Sequence, residues 1–388
     1  MTEKELNKAL ETIQGRFNKV NRLYIKKVAD QIRMIGELNQ SSINLLLVMA
    51  EVTSNVEEIT AELMTATNAT KPEVIALYTR AMQDVYTDPR FTRAFQSGLS
   101  VPPAQRMRLM HYTQGVAAQT LQTLDNLSNT TAISSPYRAA IDTAVLAVSS
   151  GMTSYTQATR DAIKQIGYNG MQVQYASGYH RRLDTAVRQN ILDATRQITQ
   201  HCADAVGESL GYDAIELSAH MRSAPDHEPV QGRVFLRAEF DKMQAGMGFT
   251  DIDGGRYAGF KRPIGEWNCM HFAAPFSTQF SRRLYSNAQL AAWAKANNDG
   301  CMIDGKHYTT YQASQLMRKI ETETRRWKDT AVMAQIAGDD TLRRECQAHI
   351  NALAAKYGQI ASVSGVTAQR DRMTVQGFKA VKMAQKGP

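Results

Sequence analysis

Apolar residues recur at steps of three and four along the first 35 residues, and this pattern constrains the fold more than any other feature. They are Leu6, Leu10, Ile13, Phe17, Val20, Tyr24, Val28, Ile32 and Ile35. Such spacing places all of them on one face of a helix, and Gly36 is a typical residue for its end. Because isolated helices are only marginally stable in water, we expect this face to pack on other helices or on a partner protein.

Further helical patterns follow up to residue 167. Ser41 or Ser42 can cap a second helix. Thr70–Glu73 has the spacing of a capping box with a proline in the first turn, which predicts a helix start. Residues 135–151 predict another capped helix, and the next helix is expected to end at Gly167. The sequence therefore predicts an N-terminal helical domain over residues 1–167.

The pattern changes in residues 168–308. Alternating apolar residues at 171–175 predict a short strand, and a strongly periodic segment predicts a helix that ends near Gly211. A second short strand is expected to deliver His220, and residues 221–275 carry many glycines and prolines with little periodicity. The Asp-Gly centre of residues 301–308 predicts a tight hairpin. We expect a loop-rich α+β domain here.

Residues 309–388 predict a helical hairpin, turning at residues 338–341, and a basic tail. From residue 310 onward there are 13 Lys and Arg against 7 Asp and Glu, so this part carries +6 of the net +8. Candidate contacts to DNA phosphates are Arg318, Lys319, Arg325, Arg326, Arg343 and Arg344. A solvated helical face is the alternative interpretation of these charges. The whole chain is expected to be α+β and mostly helical.

Composition restricts the class of protein. With 388 residues and 43% hydrophobic residues, the chain can form several cores. The longest apolar run, at residues 43–50, is far shorter than the about 20 residues that a membrane span needs, and the first residues do not resemble a signal peptide. Four scattered cysteines fit a reducing compartment better than a disulfide framework. We expect a protein made in a cytoplasm, without membrane contact.

Histidines and a cysteine gather in the loop-rich region and suggest a metal site. His220, His227, Cys269 and His271 are residue types that zinc prefers. Their spacing departs from the two close pairs of common structural zinc sites, since the two histidines of the first pair are seven positions apart and a single residue separates Cys269 from His271. Buried side chains that satisfy hydrogen bonds in a loop-rich core are the alternative, so no cofactor is expected, with zinc as the exception to test.

The same segments partly match a metal-dependent nuclease. Asp226, His227 and Pro229 mimic the first element of His–Asn–His endonucleases, and Asn268 and His271 mimic the rest. In such an enzyme a histidine activates water while a metal neutralises charge on the phosphate. The three-residue spacing of Asn268 and His271 is too short for that motif. We therefore expect no enzymatic activity.

Four ordered segments resemble the phage minor capsid protein 2 family, relatives of the Mu F-type minor head proteins. They are Tyr175–Ile191, Gly211–Phe235, Trp267–Phe276 and Asp304–Glu321. Besides the histidines and the cysteine, the matching positions are Gly178, Arg188, Ser218, Arg222, Gly232, Trp267, Asn268, Asp304, Gly305 and Tyr308. The chain departs from the family where Met270 replaces an arginine and where Ser223 and Ala224 separate Arg222 from Pro225.

The resemblance implies a structural protein of the tailed-phage head. Relatives look like low-copy proteins that associate with the portal during head morphogenesis and DNA packaging. The implied partners are the portal protein, major capsid or scaffold proteins and double-stranded DNA, and the implied location is the virion. The long first helix is expected to dock on the portal.

Overall fold

The computed structural model describes residues 3–37, 42–130, 155–174, 179–259, 262–265, 269, 271–375 and 377–381. The helices are α1 (Glu3–Glu37), α2 (Ser42–Tyr86), α3 (Thr92–Gln96), α4 (Pro103–Thr130), α5 (Tyr155–Asn169), α6 (Leu183–Ser209), α7 (Arg237–Gln244), α8 (Asn287–Asp299), α9 (Thr310–Ile336) and α10 (Asp340–Ser364), with 3₁₀ turns at Pro89–Phe91 and Arg370–Met373. None of these helices has the length and apolarity to cross a bilayer.

The strands are short and pair antiparallel. They are β1 (Gln172–Gln174), β2 (His180–Arg182), β3 (Ala214–Leu217), β4 (Val234–Leu236), β5 (Phe249–Thr250), β6 (Arg256–Tyr257), β7 (Ala273–Phe276), β8 (Cys301–Ile303) and β9 (Lys306–Tyr308). β3 lies between β4 and β7, and Ile215 faces Phe235 on one side and Pro275 on the other. The other strands form two-stranded ribbons. The predicted mostly helical α+β class is confirmed.

The apolar face of α1 packs inside the chain. Leu10, Ile13, Phe17, Val20 and Val28 are at most 1% exposed and belong to the largest core, to which α2, α5, α6 and α9 contribute. This core contains residues from all three predicted regions, up to Cys346 on α10. The domain boundaries at residues 167 and 308 stay a prediction, and the helix expected at 135–151 lies outside the described residues.

The predicted helix start at Thr70 is wrong. α2 continues through Pro72, and the Thr70 hydroxyl donates to the carbonyl of Ala66 at 2.8 Å instead of capping a new helix. Proline costs the helix one backbone hydrogen bond. Leu63, Val74 and Tyr78 are nonetheless fully buried around this point, and their packing keeps the helix continuous.

Gly167 does not end α5, which runs on to Asn169. Its missing side chain matters for packing instead, because a Cβ at this position would lie 2.7 Å from the Cα of Thr330 on α9. The glycine therefore allows close contact between α5 and the C-terminal helical hairpin.

A buried ionic network joins α1, the start of α6 and α9. Arg182, Asp184 and Asp329 are 8%, 2% and 4% exposed. Arg182 donates to Asp184 at 3.2 Å and to Asp329, while Gln14 of α1 donates to Asp184 at 3.0 Å. Burial alone would lower the pKa of Arg182, but the two carboxylates raise it. Arg182 is therefore held as a cation in the interior.

We expect Asp329→Ala to destabilise the fold by about 3–5 kcal/mol, because it leaves a buried guanidinium without one of its carboxylates. The midpoint of urea unfolding, followed by circular dichroism, measures this loss. Asp299→Ala is the matched control, since Asp299 pairs with Lys295 at side-chain exposures of 60% and 76% and such pairs contribute little. Equal midpoints for the two variants would contradict the expectation.

Candidate metal centre

Two segments distant in sequence meet beside the three-stranded sheet. The loop after β3 brings His227, and the segment before β7 brings Cys269 and His271. One ligand atom from each of the three side chains lies within 4.8 Å of the others. The residues are 0%, 3% and 7% exposed, respectively. These three side chains are called the His–Cys cluster below.

Strand pairing places the two segments together. Ser218, directly after β3, donates its backbone N–H to the carbonyl of Phe272 at 2.8 Å, and its hydroxyl accepts the N–H of Phe272 at 2.8 Å. His271 is therefore fixed at the end of β3. On the other side, the N–H of Gly232 donates to the carbonyl of Leu217 at 3.0 Å and folds the loop back over the same strand end.

The thiol of Cys269 lies between the two imidazoles. Its Sγ is 3.3 Å from Nδ1 of His227 and 3.4 Å from Nδ1 of His271. The backbone N–H of His271 also donates to this sulfur at 3.4 Å. A sulfur with this many donors is suited to carry a negative charge.

The pKa values separate Cys269 from the other buried cysteines. Burial raises the pKa of Cys202 to about 11 and that of Cys346 to about 12. Burial alone would also raise the pKa of Cys269, but hydrogen bonds from His227 and His271 lower it to about 5. Cys269 is thus a thiolate at neutral pH, while the other two are inert thiols.

The distal ring nitrogens of both histidines have acceptors. Nε2 of His227 donates to the carbonyl of Arg262 at 2.8 Å. Nε2 of His271 lies 3.3 Å from the hydroxyl of Ser223 and 3.5 Å from the side-chain oxygen of Gln231. These contacts fix the ring orientations, so that Nδ1 of each ring faces the sulfur.

His220 lies next to the cluster but outside the group of three. Its ring centroid is 4.6 Å from that of His271. Its Nδ1 donates to the carbonyl of Met221 at 3.1 Å, and its Nε2 is buried without a hydrogen-bond partner. Burial, more than its neighbours, lowers the pKa of His220, so this imidazole is neutral. The sequence therefore identified the residues that converge here.

The residues of the nuclease pattern are arranged differently from a water-activating pair. Asp226 accepts two hydrogen bonds from Arg262, at 2.8 and 2.7 Å, while Nε2 of His227 is 3.8 Å from its carboxylate. Burial alone would raise the pKa of Asp226, but the Arg262 bonds lower it. Its charge is used in an ion pair. Asn268, the third element of that pattern, lies outside the described residues.

The family model described as Phage minor capsid protein 2 matches residues 24–359. The chain belongs to this family. No curated protein and no solved structure gives a match. A phage minor capsid protein has a structural role in the virion, where it assembles with other phage head proteins.

Some signature residues of this minor capsid protein contact distant parts of the same chain. Arg188 on α6 donates to Asn7 of α1 at 2.9 Å. Arg222 adopts a left-handed conformation with φ of 66° and is exposed. Gly232 also has a positive φ, of 68°, and a Cβ there would lie 2.6 Å from Leu290. Gly178, Trp267 and Asn268 lie outside the described residues.

The candidate DNA-contact residues fall into two groups. Arg318, Lys319 and Arg344 are exposed. The other three are engaged within the protein: Arg325 lies 3.7 Å from Asp184 in the buried network, Arg326 donates to Tyr168 at 3.2 Å, and Arg343 donates to the carbonyl of Lys379 at 3.3 Å. Sequence patterns could not predict this division, because Asp184, Tyr168 and Lys379 are distant in sequence from the arginines that they contact.

The hairpin signature is a tight turn between β8 and β9. Asp304 and Gly305 have φ of 50° and 76°, as the predicted Asp-Gly turn requires. Gly300, which precedes β8, has a stricter role that the sequence did not reveal. Its φ is 53° and its ψ is −141°, and a Cβ there would lie 2.1 Å from the carbonyl oxygen of Tyr308.

We expect Gly300→Ala to destabilise the protein by about 1–3 kcal/mol more than Gly305→Ala, because the methyl group must push apart the paired backbone. Gly305→Ala is the matched control: it meets no atom within 4 Å and incurs only the strain of a positive φ. Urea unfolding midpoints compare the two. A larger loss for Gly305→Ala would contradict this account of the hairpin.

Proposed function

We propose that this protein is a low-copy structural component of a tailed-phage head that docks near the portal during head assembly and touches the packaged DNA. The match to the minor capsid family over residues 24–359 carries this proposal. We further propose that it has no enzymatic activity. The support is burial, since His227 and Cys269 are 0% and 3% exposed and a phosphodiester could not reach them without rearrangement.

The part of the α1 stripe from Leu10 to Val28 is covered by the chain's own helices, so we look for the docking surface elsewhere. Other apolar side chains of the N-terminal helices do face solvent. Met64 and Ile75 on α2 are 53% and 48% exposed, and Met107 and Met110 on α4 are 54% and 42% exposed. Exposed methionines suit a surface that adapts to a partner. We propose that this outer face of α2 and α4 meets the portal or a neighbouring head protein.

The test measures whether the protein is incorporated into phage heads. The gene is deleted from the phage, and the wild-type or variant protein is supplied from a plasmid in the host cell. The wild-type protein is expected in purified heads at far fewer copies than the major capsid protein, as measured by quantitative mass spectrometry. The double variant Met64→Glu with Met107→Glu is expected to be lost from heads, because two charges would have to be buried in the contact.

Met302→Glu with Val363→Glu is the matched control, because these apolar residues are 57% and 47% exposed but lie on β8 and α10. Absence of the wild-type protein from heads would contradict the structural role. Retention of the Met64/Met107 variant would contradict the docking face alone.

The DNA contact is proposed at a cluster of positive charges formed by Arg188, Arg318 and Arg372. They come from α6, α9 and the last 3₁₀ turn, so the sequence pointed only to Arg318 among them. Partial burial first, and then the charge of Arg372, lower the pKa of both Arg188 and Arg318. Glu321 lies 3.9 Å from Arg372, so three cations face one carboxylate and the net positive charge favours an anion such as a phosphate.

We expect Arg318→Glu with Lys319→Glu to weaken binding to double-stranded DNA and to reduce the slope of log affinity against log salt by about 0.9 for each lost phosphate contact. Fluorescence anisotropy over a salt series measures both quantities. Lys295→Glu with Lys306→Glu changes the net charge equally on α8 and β9 and is expected to retain the slope. Identical slopes for both variants would exclude this surface.

A further inference from the structure

We propose that the His–Cys cluster binds one zinc ion through Cys269, His227 and His271, with His220 as the fourth ligand. This site is independent of the proposed role in the phage head. Its role is to hold together the loop-rich part of the protein, and it takes no part in a reaction.

The first support is the separation of the ligand atoms. In a tetrahedral zinc site, bonds of about 2.3 Å to sulfur and about 2.0–2.1 Å to nitrogen place the sulfur about 3.5 Å from each nitrogen. The Sγ of Cys269 is 3.3 Å from Nδ1 of His227 and 3.4 Å from Nδ1 of His271. Both sulfur–nitrogen separations are therefore already close to those that the ion needs.

The second support is the direction of the lone pairs. Nε2 of His227 lies 2.8 Å from the carbonyl oxygen of Arg262. Because a carbonyl oxygen can only accept a hydrogen bond, Nε2 must carry the hydrogen. Nδ1 of His227 is then the nitrogen that faces the sulfur and can bind an ion, which would replace any proton there because metal ligands bind in the deprotonated form. Ser223 and Gln231 orient His271 in the same way. Metal-bound histidines in proteins are almost always held by such outer contacts.

His220 offers a fourth nitrogen. Its Nδ1 is tied to the carbonyl of Met221, which leaves Nε2 as the lone-pair atom, and Nε2 is buried without a partner. An unsatisfied buried nitrogen is uncommon and calls for an explanation. Coordination provides one, because the His220 ring is packed 4.6 Å from that of His271 and needs only a local rearrangement to reach the ion.

Burial distinguishes a closed structural site from a reactive cysteine. Reactive thiolates sit in partly exposed positions, whereas Cys269 is 3% exposed and both neighbouring imidazoles are at most 7% exposed. Four protein ligands leave no open position for water or substrate, which is the arrangement of structural zinc.

The local core explains what such an ion would contribute. The hydrophobic cluster around β3 is small. Most of its side chains come from short strands and loops, among them Ile215, Val230, Phe235 and Ile264. His227 and Cys269 are 42 positions apart, so one ion would cross-link the two loops that flank the sheet. Binding free energy at such a site becomes folding free energy.

The test uses full-length protein made without a histidine tag and analysed by elemental mass spectrometry. About one zinc per chain is expected for the wild type, and near zero for Cys269→Ser and His227→Ala. Cys346→Ser is the matched control, since it alters a fully buried thiol outside the cluster and should keep its zinc. Ser223→Ala should weaken zinc binding about 10–100-fold in competition with a chelating dye, because it removes only an outer contact.

Cobalt keeps the proposal testable if the cluster variants fail to fold. Wild-type protein stripped of metal and titrated with Co²⁺ should develop a thiolate-to-cobalt charge-transfer band and the intense visible bands of a tetrahedral site. His220→Ala should weaken the visible bands, since the fourth protein ligand is lost. The proposal would be overturned if wild-type protein retained no zinc after dialysis against a zinc solution and also gave no thiolate–cobalt band.

Discussion

The arrangement of the helices depends on charges that are withdrawn from water where the N-terminal helices meet the C-terminal hairpin. Taking Arg182, Asp184 and Asp329 out of solvent carries a large desolvation cost, and only their mutual contacts offset it. Those contacts exist in a single alignment of α1, α6 and α9, because Gln14 and Arg325 must reach the same carboxylate. Apolar packing alone would tolerate small shifts along these helices. We infer that the network selects one alignment, and with it the position of the sheet that follows α6.

Much of the fold could be predicted from local signals in the sequence. Where the prediction failed, packing between distant segments was the cause. The stripe of α1 and the Asp304-Gly305 turn depend on neighbours in sequence, and the structure has both. The helix start at Thr70 was wrong because packing on both sides of Pro72 outweighs a local capping signal. The docking role of α1 stays a prediction, but tertiary structure shows that its apolar face from Leu10 to Val28 is covered within the chain.

For the candidate centre, residue type was predictable and geometry was not. Histidine and cysteine in a loop-rich segment suggested a site, but irregular spacing weakened the case. The spacing becomes irrelevant once β3 pairs with both β4 and β7, because that pairing brings the loop after β3 and the segment before β7 to one edge. The division of the basic residues into exposed and internally paired groups also depends on contacts between distant segments, so it could not be predicted from the sequence. Arg325 is drawn inward by Asp184, which lies 141 positions earlier.

The continuity of the largest core has a consequence for how the protein is made. Its members begin at Leu10 and end at Cys346, so the first helix cannot bury its full apolar face until most of the chain has left the ribosome. During synthesis at about 5–20 residues per second, the nascent N-terminal helices remain exposed for many seconds. They are then open to aggregation, to chaperones and to association with other head proteins made in the same cell. That period ends when the C-terminal hairpin is synthesised and completes the core around α1. The apolar face of α1 is therefore open to other proteins only during synthesis.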